Sequence, residues 1–154
     1  MLTQNQATLH KHAVFNGMND DTVFRADSTI WQNELEIFRQ LQAINKPVNR
    51  DNYLVDDGLY DPASNLTVKA FSTSANLPVK YVRVFYQDSL SKPRKIEALY
   101  DNKNTLYASS RLLTLEFGRF KNKLVLTSYA IEGGQQMKLG DSVMFKIKGE
   151  VILH

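Results

Sequence analysis

The side chains able to do acid–base or metal chemistry in this 154-residue chain are few and awkwardly placed. Its three histidines, His10, His12 and His154, all lie within a dozen residues of a terminus. A general base must sit within hydrogen-bond reach of its proton and be oriented by a third group, which a loosely held chain end does badly. No Gly-x-Ser-x-Gly elbow accompanies them, so a serine triad is not indicated. His10 and His12 would share one face of a strand, but a metal site needs three or four ligands and no third lies close in sequence.

Asp56, Asp57 and Asp61 are the carboxylates best placed to meet a hard cation such as calcium. The EF-hand spacing fails, because counting from Asp51 puts Tyr53 and Val55 where oxygen ligands are needed and leaves Gly58 misplaced. Ordinary Asx-turns account for this segment. Gly133-Gly134 lacks both a following Gly-Lys-Ser/Thr and a helix start, so it holds no phosphate and reads as a long hairpin loop. Glu97, Glu116, Glu132 and Glu150 fall in or beside strands. A glycosidase would need two of them facing across a cleft, whereas cross-strand ion pairs need only neighbouring positions. Lys80 to Tyr86 interleaves cations with aromatic rings, as a nucleic-acid platform would. Alternation puts Tyr81, Arg83 and Phe85 on one face, neither face is uniformly basic and aromatic, and the RNP pattern is missing. A buried central strand explains the segment.

The elements that must hold these residues follow from composition and period. Hydrophobic residues make up 43% and charged residues 23%, the balance of one globular domain. The absence of cysteine excludes a disulfide scaffold, a thiol nucleophile, a cysteine-based zinc site and an iron–sulfur cluster. A net charge of +3 spread from Lys11 to Lys148 gives no concentrated basic face, so no nucleic acid is expected as partner. No run approaches the ~18–20 apolar residues of a membrane helix. The opening Met1-Leu2-Thr3-Gln4-Asn5-Gln6 carries no signal-peptide pattern, which fits either a cytoplasmic protein or one whose leader has been removed.

Residues 1–26 carry little periodicity and read as an arm or tether, leaving 27–154 as a single domain. From Ser28 to Ile44 the apolar positions Ile30, Leu35, Ile37, Phe38, Leu41 and Ile44 recur at helical spacing, with Asp27, Ser28 and Thr29 competent to cap the start. Pro47 ends this helix. After a turn-rich stretch from Val48 to Asn65, the period changes to two. Strands are expected at Leu66–Phe71, Val79–Tyr86, Lys95–Tyr100, Thr105–Phe117, Leu124–Ile131 and from Val143 to Leu153. The last alternates most cleanly, with Val143, Phe145, Ile147, Gly149, Val151 and Leu153 on one side. The expected fold is therefore α+β, an antiparallel meander of about six strands, curved or partly closed, with one N-terminal amphipathic helix packed on it.

Lys95–Tyr100, Leu106–Arg111, Ser128–Met137 and Gly140–Val143 together resemble small uncharacterised envelope proteins of the Bacteroidetes, many of them predicted lipoproteins. The resemblance covers about half the chain and transfers no catalytic residue. It implies a periplasmic or outer-membrane-anchored location, with the residues before Val14 as a spacer from a lipid anchor on a removed leader, since no lipobox cysteine is present. The expected role is non-catalytic, needing no cofactor: binding a partner protein or apolar ligand in the hollow of the sheet, with Phe38, Tyr81, Phe85 and Phe117 as candidate lining residues. The alternatives are an enzyme with a carboxylate or hydroxyl site and a weak nucleic-acid binder.

Overall fold

The computed structural model describes residues 7–25 and 27–153. Nine antiparallel strands form one open sheet: β1 (Ala7–Phe15), β2 (Met18–Arg25), β3 (Leu54–Asp61), β4 (Leu66–Ser72), β5 (Val79–Tyr86), β6 (Pro93–Lys103), β7 (Tyr107–Phe120), β8 (Lys123–Met137) and β9 (Ser142–Leu153). Their spatial order is β2-β1-β9-β8-β7-β6-β5-β4-β3. The six expected strands are present, and three more join them.

Two of the added strands correct the reading of the N-terminus. Residues 7–25 form a hairpin whose first strand pairs along its length with β9, from Ala7 opposite Leu153 to Phe15 opposite Phe145. Leu9 is wholly buried, and Ala7 and Ala13 nearly so. Residues 1–6 of the expected arm, together with Ala26 and His154, lie outside the described residues. The third added strand, β3, occupies the stretch read as turns. Gly58, at φ +79°, sits in an irregularity between Asp56 and Leu59 that lets the chain keep pairing with β4. Gly133 and Gly134 are likewise inside β8, not in a loop. A β-carbon on Gly133 would stand 2.0 Å from the carbonyl oxygen of Ser110, so glycine is what lets β7 and β8 approach there.

The edges β2 and β3 are consecutive in the chain, so the segment between them must cross the whole sheet. It does so as α1 (Ser28–Glu34), a 3-10 helix (Glu36–Asn45) and α2 (Pro47–Arg50). Asp27 caps the start, its Oδ1 accepting from the Ile30 amide at 2.9 Å. The single helix expected over 28–44 is thus broken after its second turn. Leu35, Phe38, Leu41 and Ile44 recur every three residues, and a 3-10 helix of three residues per turn stacks such positions on one face. This crossing spans roughly 35 Å, against roughly 38 Å for nine strands laid flat. Irregularities with an extra residue in β3, β5, β6 and β8 increase the local twist of the sheet.

The core lies between the two. Leu9, Val79, Val82, Ala98, Leu113, Tyr129 and Ile131 from the inner face of the sheet form one cluster with Phe38 of the 3-10 helix. Because Leu9 belongs to that cluster, Leu9→Ala is expected to cost about 2–5 kcal/mol in chemical denaturation. A cost within ~0.5 kcal/mol, the usual range for surface changes, would return residues 7–15 to the status of a tether.

Candidate functional site

Register places Lys11 of β1, Gly149 of β9 and Tyr129 of β8 side by side across the inner face. Gly149 offers no side chain, and the Tyr129 ring lies over it. A β-carbon there would come within 2.3 Å of two ring carbons. Lying across β9, the phenol reaches the last residue of α1. Tyr129 donates to Glu34 Oε2 at 2.5 Å, and Lys11 Nζ donates to Glu34 Oε1 at 2.8 Å. Each carboxylate oxygen thus takes one strong donor, and the crossing segment is fastened to the sheet between β1 and β8.

Burial pushes the Tyr129 phenol far above its ordinary value, and the adjacent Glu34 carboxylate adds to the shift by accepting its proton and by its charge. The phenol is therefore held in its protonated form as a donor to Glu34. Glu34 has both oxygens engaged. A carboxylate, a phenol and an ammonium converge here, yet the environment disarms the phenol, and a fastening explains the cluster better than an active site does.

A second tie lies at the far end of the crossing, where the buried Tyr53 donates to the Val79 carbonyl at 2.6 Å. Burial also raises the Tyr53 phenol. Between the two ties Phe38 meets Tyr129 edge to face, with ring centroids 6.2 Å apart. The rest of the cover is thin. Ile30, Trp31, Leu35, Ile37, Leu41 and Ile44 are only partly buried, and so are Phe71, Val84, Ile96, Leu115, Phe145, Ile147 and Val151 beneath them. The Trp31 indole N–H is closed off from solvent with no acceptor among the described residues. The site is a partly buried apolar face under a helical cover tied at two points.

The expected lining residues divide between the faces. Phe38 lies against the inner face. Tyr81 and Phe85 do not, because Val82 and Val84 of the same strand point inward and put them on the outer face. There Arg83 lies 4.3 Å from the Tyr81 ring centroid and Lys95 5.1 Å from that of Phe85, while Glu97 pairs with both cations at 3.4 Å. Both faces of β5 are apolar, so alternation could not say which one the helices cover. Phe117 follows Leu113 and Leu115 along β7 but is half-buried and outside the core cluster.

The candidate metal ligands are engaged by the chain itself. Asp57 accepts from the Gly58 amide at 2.8 Å and from the Tyr86 hydroxyl at 2.9 Å. Asp61 accepts from the Ser64 hydroxyl at 2.6 Å, which holds its carboxyl below the ordinary value. Asp56 is exposed on the edge strand β3. Among the described residues no three His, Asp or Glu side chains converge as a metal site. His10 and His12 are exposed, and His12 pairs with Asp21 across the hairpin at 2.5 Å.

Sequence reasoning passed over Lys11, Glu34 and Tyr129. The signal that could have led to them is Gly149, a glycine at an inward position of an otherwise apolar alternation, which marks a close approach by another group. No protein-family model, curated protein or solved structure matches the chain.

Two substitutions test the fastening. Gly149→Ala displaces the Tyr129 ring and should cost about 1–3 kcal/mol in urea denaturation; a neutral result would remove the ring from β9. Tyr129→Phe should cost about 1.5–3 kcal/mol near neutral pH, the value of a hydrogen bond to a charged group. The folded-state phenol holds its proton above the ordinary value of 10.0, so its contribution is full below that pH and is lost as pH rises past it. The stability gap between wild type and Tyr129→Phe should therefore narrow from about pH 9 to about pH 11. A gap constant with pH would contradict a buried, protonated phenol.

Proposed function

We propose that this domain is a non-catalytic binder of apolar ligands, which it takes up in a trough between the helical cover and the inner face of the sheet. The observation that carries this reading is the partly buried apolar face. Ile96, Leu115, Phe145, Ile147 and Val151 pack against the core cluster yet are only partly buried. Open apolar surface of this kind is what a small hydrophobic ligand fills. The cover is held by discrete polar ties, so it can lift without the sheet unfolding.

The partner-protein alternative has less support. β3 exposes Leu54, Val55, Leu59 and Tyr60 along one edge. Asp56, Asp57 and the irregularity at Gly58 interrupt that edge, and charges and bulges of this kind guard an edge strand against pairing. A cell-envelope compartment is part of the proposal and rests on the resemblance in strand rhythm alone; recovery of the native protein only from the cytosolic fraction would count against it.

Trp31 is the single tryptophan of the chain and sits in the cover, so its emission reports on the trough. Titration with a neutral fluorescent naphthylamine should give saturable binding of one probe per chain, with a parallel change in Trp31 emission. Folded protein that gives no saturable signal would contradict the reading.

A further inference from the structure

Beyond the core cluster, at the end of the inner face near the β1–β2 turn, β7 carries two polar residues on the face of Leu113. They are Ser109 and Arg111, two positions apart. Ser109 is 4% exposed, and among the described residues its hydroxyl has no hydrogen-bond partner. The Arg111 Nε is also sealed from solvent without a partner, and among the described residues no carboxylate pairs with its guanidinium. The guanidinium carbon lies 5.8 Å from the centroid of the Phe145 ring. Gly133 stands between them in register and leaves the space over β8 free of a side chain. Native proteins rarely leave buried donors unsatisfied, and a planar guanidinium fork matches the two oxygens of a carboxylate or phosphate. Lys11, the inward cation of the fastening, already has its anion in Glu34; among the described residues Arg111 has none.

We infer that Arg111 and Ser109 form the head-group site of the trough, and that its ligand is an amphiphile carrying an oxyanion head, carboxylate or phosphate, on an acyl or alkyl chain. The head would take the guanidinium fork and the serine hydroxyl. The chain would run along Phe145 and Ile147, both half-buried, toward the space under the cover. This inference rests on the proposed apolar binding and adds a charge requirement to it.

Displacement of the neutral naphthylamine by dodecanoate, dodecyl phosphate and dodecanol, with inorganic phosphate titrated alone by calorimetry, tests it. Wild type should bind the two anionic amphiphiles at least ~10-fold more tightly than dodecanol, as a charge-assisted bidentate contact allows. Inorganic phosphate should bind far more weakly than dodecyl phosphate. Arg111→Met keeps the apolar stem and should abolish the preference while leaving dodecanol and probe affinities unchanged. Arg111→Lys should retain part of it and serves if the methionine variant does not fold. Equal affinity for dodecanoate and dodecanol in wild type, or a preference that survives in Arg111→Met, would overturn the head-group site and leave apolar binding intact. Inorganic phosphate binding as tightly as dodecyl phosphate would overturn the amphiphile in favour of a free anion. Failure of the probe itself to bind would sink the underlying reading and this inference with it.

Discussion

A missing side chain governs how this molecule is held together. At Gly149 the inner face of β9 is bare, and the Tyr129 ring fills the gap. From there its hydroxyl reaches Glu34, which Lys11 approaches from the other side. Three strands and α1 are joined by these four residues. The sheet order makes such a junction necessary. Its two edges, β2 and β3, are neighbours in sequence, so residues 28–50 have to cross every intervening strand and be secured along the way.

The balance of forces in the crossing segment differs from that in the sheet. Backbone pairing and fully buried residues such as Leu9, Val79, Ala98 and Leu113 hold the strands. The crossing buries Phe38 well, but its remaining apolar residues are only partly covered. Its attachment therefore leans on the Glu34 contacts and on the Tyr53 bond to Val79. Partly buried ion pairs lose in desolvation much of what they gain in attraction, so they fix geometry more than they add stability.

Much of the sheet was legible from sequence, and what was hidden has physical causes. β9 announced itself through a clean two-residue alternation, and that same alternation carried Gly149. β1 was hidden because its inward positions include Lys11, a cation that is acceptable there only because Glu34 awaits it 23 residues later. β2 and β3 are edge strands with mostly exposed side chains, so neither face needs to be apolar. The crossing helix was visible as an amphipathic run, but its break into a 3-10 turn was not, since spacings of three suit both helix types over ten residues. Among the candidate lining residues, Phe38 lies on the inner side, in the core cluster. Tyr81 and Phe85 were misplaced because β5 is apolar on both faces and only the strand order decides which one the helices cover. Ser109 and Arg111 look like ordinary strand polar residues until the pairing with Gly133 and the depth of the strand are known.

The proposed uptake of apolar ligands needs the cover seated on the inner face by the Tyr129–Glu34 junction. Solution NMR of the full chain reads that junction most directly, through the α-protons of Gly149. With the Tyr129 ring stacked over them, these protons should be shifted strongly upfield and show nuclear Overhauser contacts to that ring, with further contacts joining the Tyr129 and Phe38 rings. Gly149 α-protons at random-coil positions, with no contact between Tyr129 and Phe38, would contradict the account.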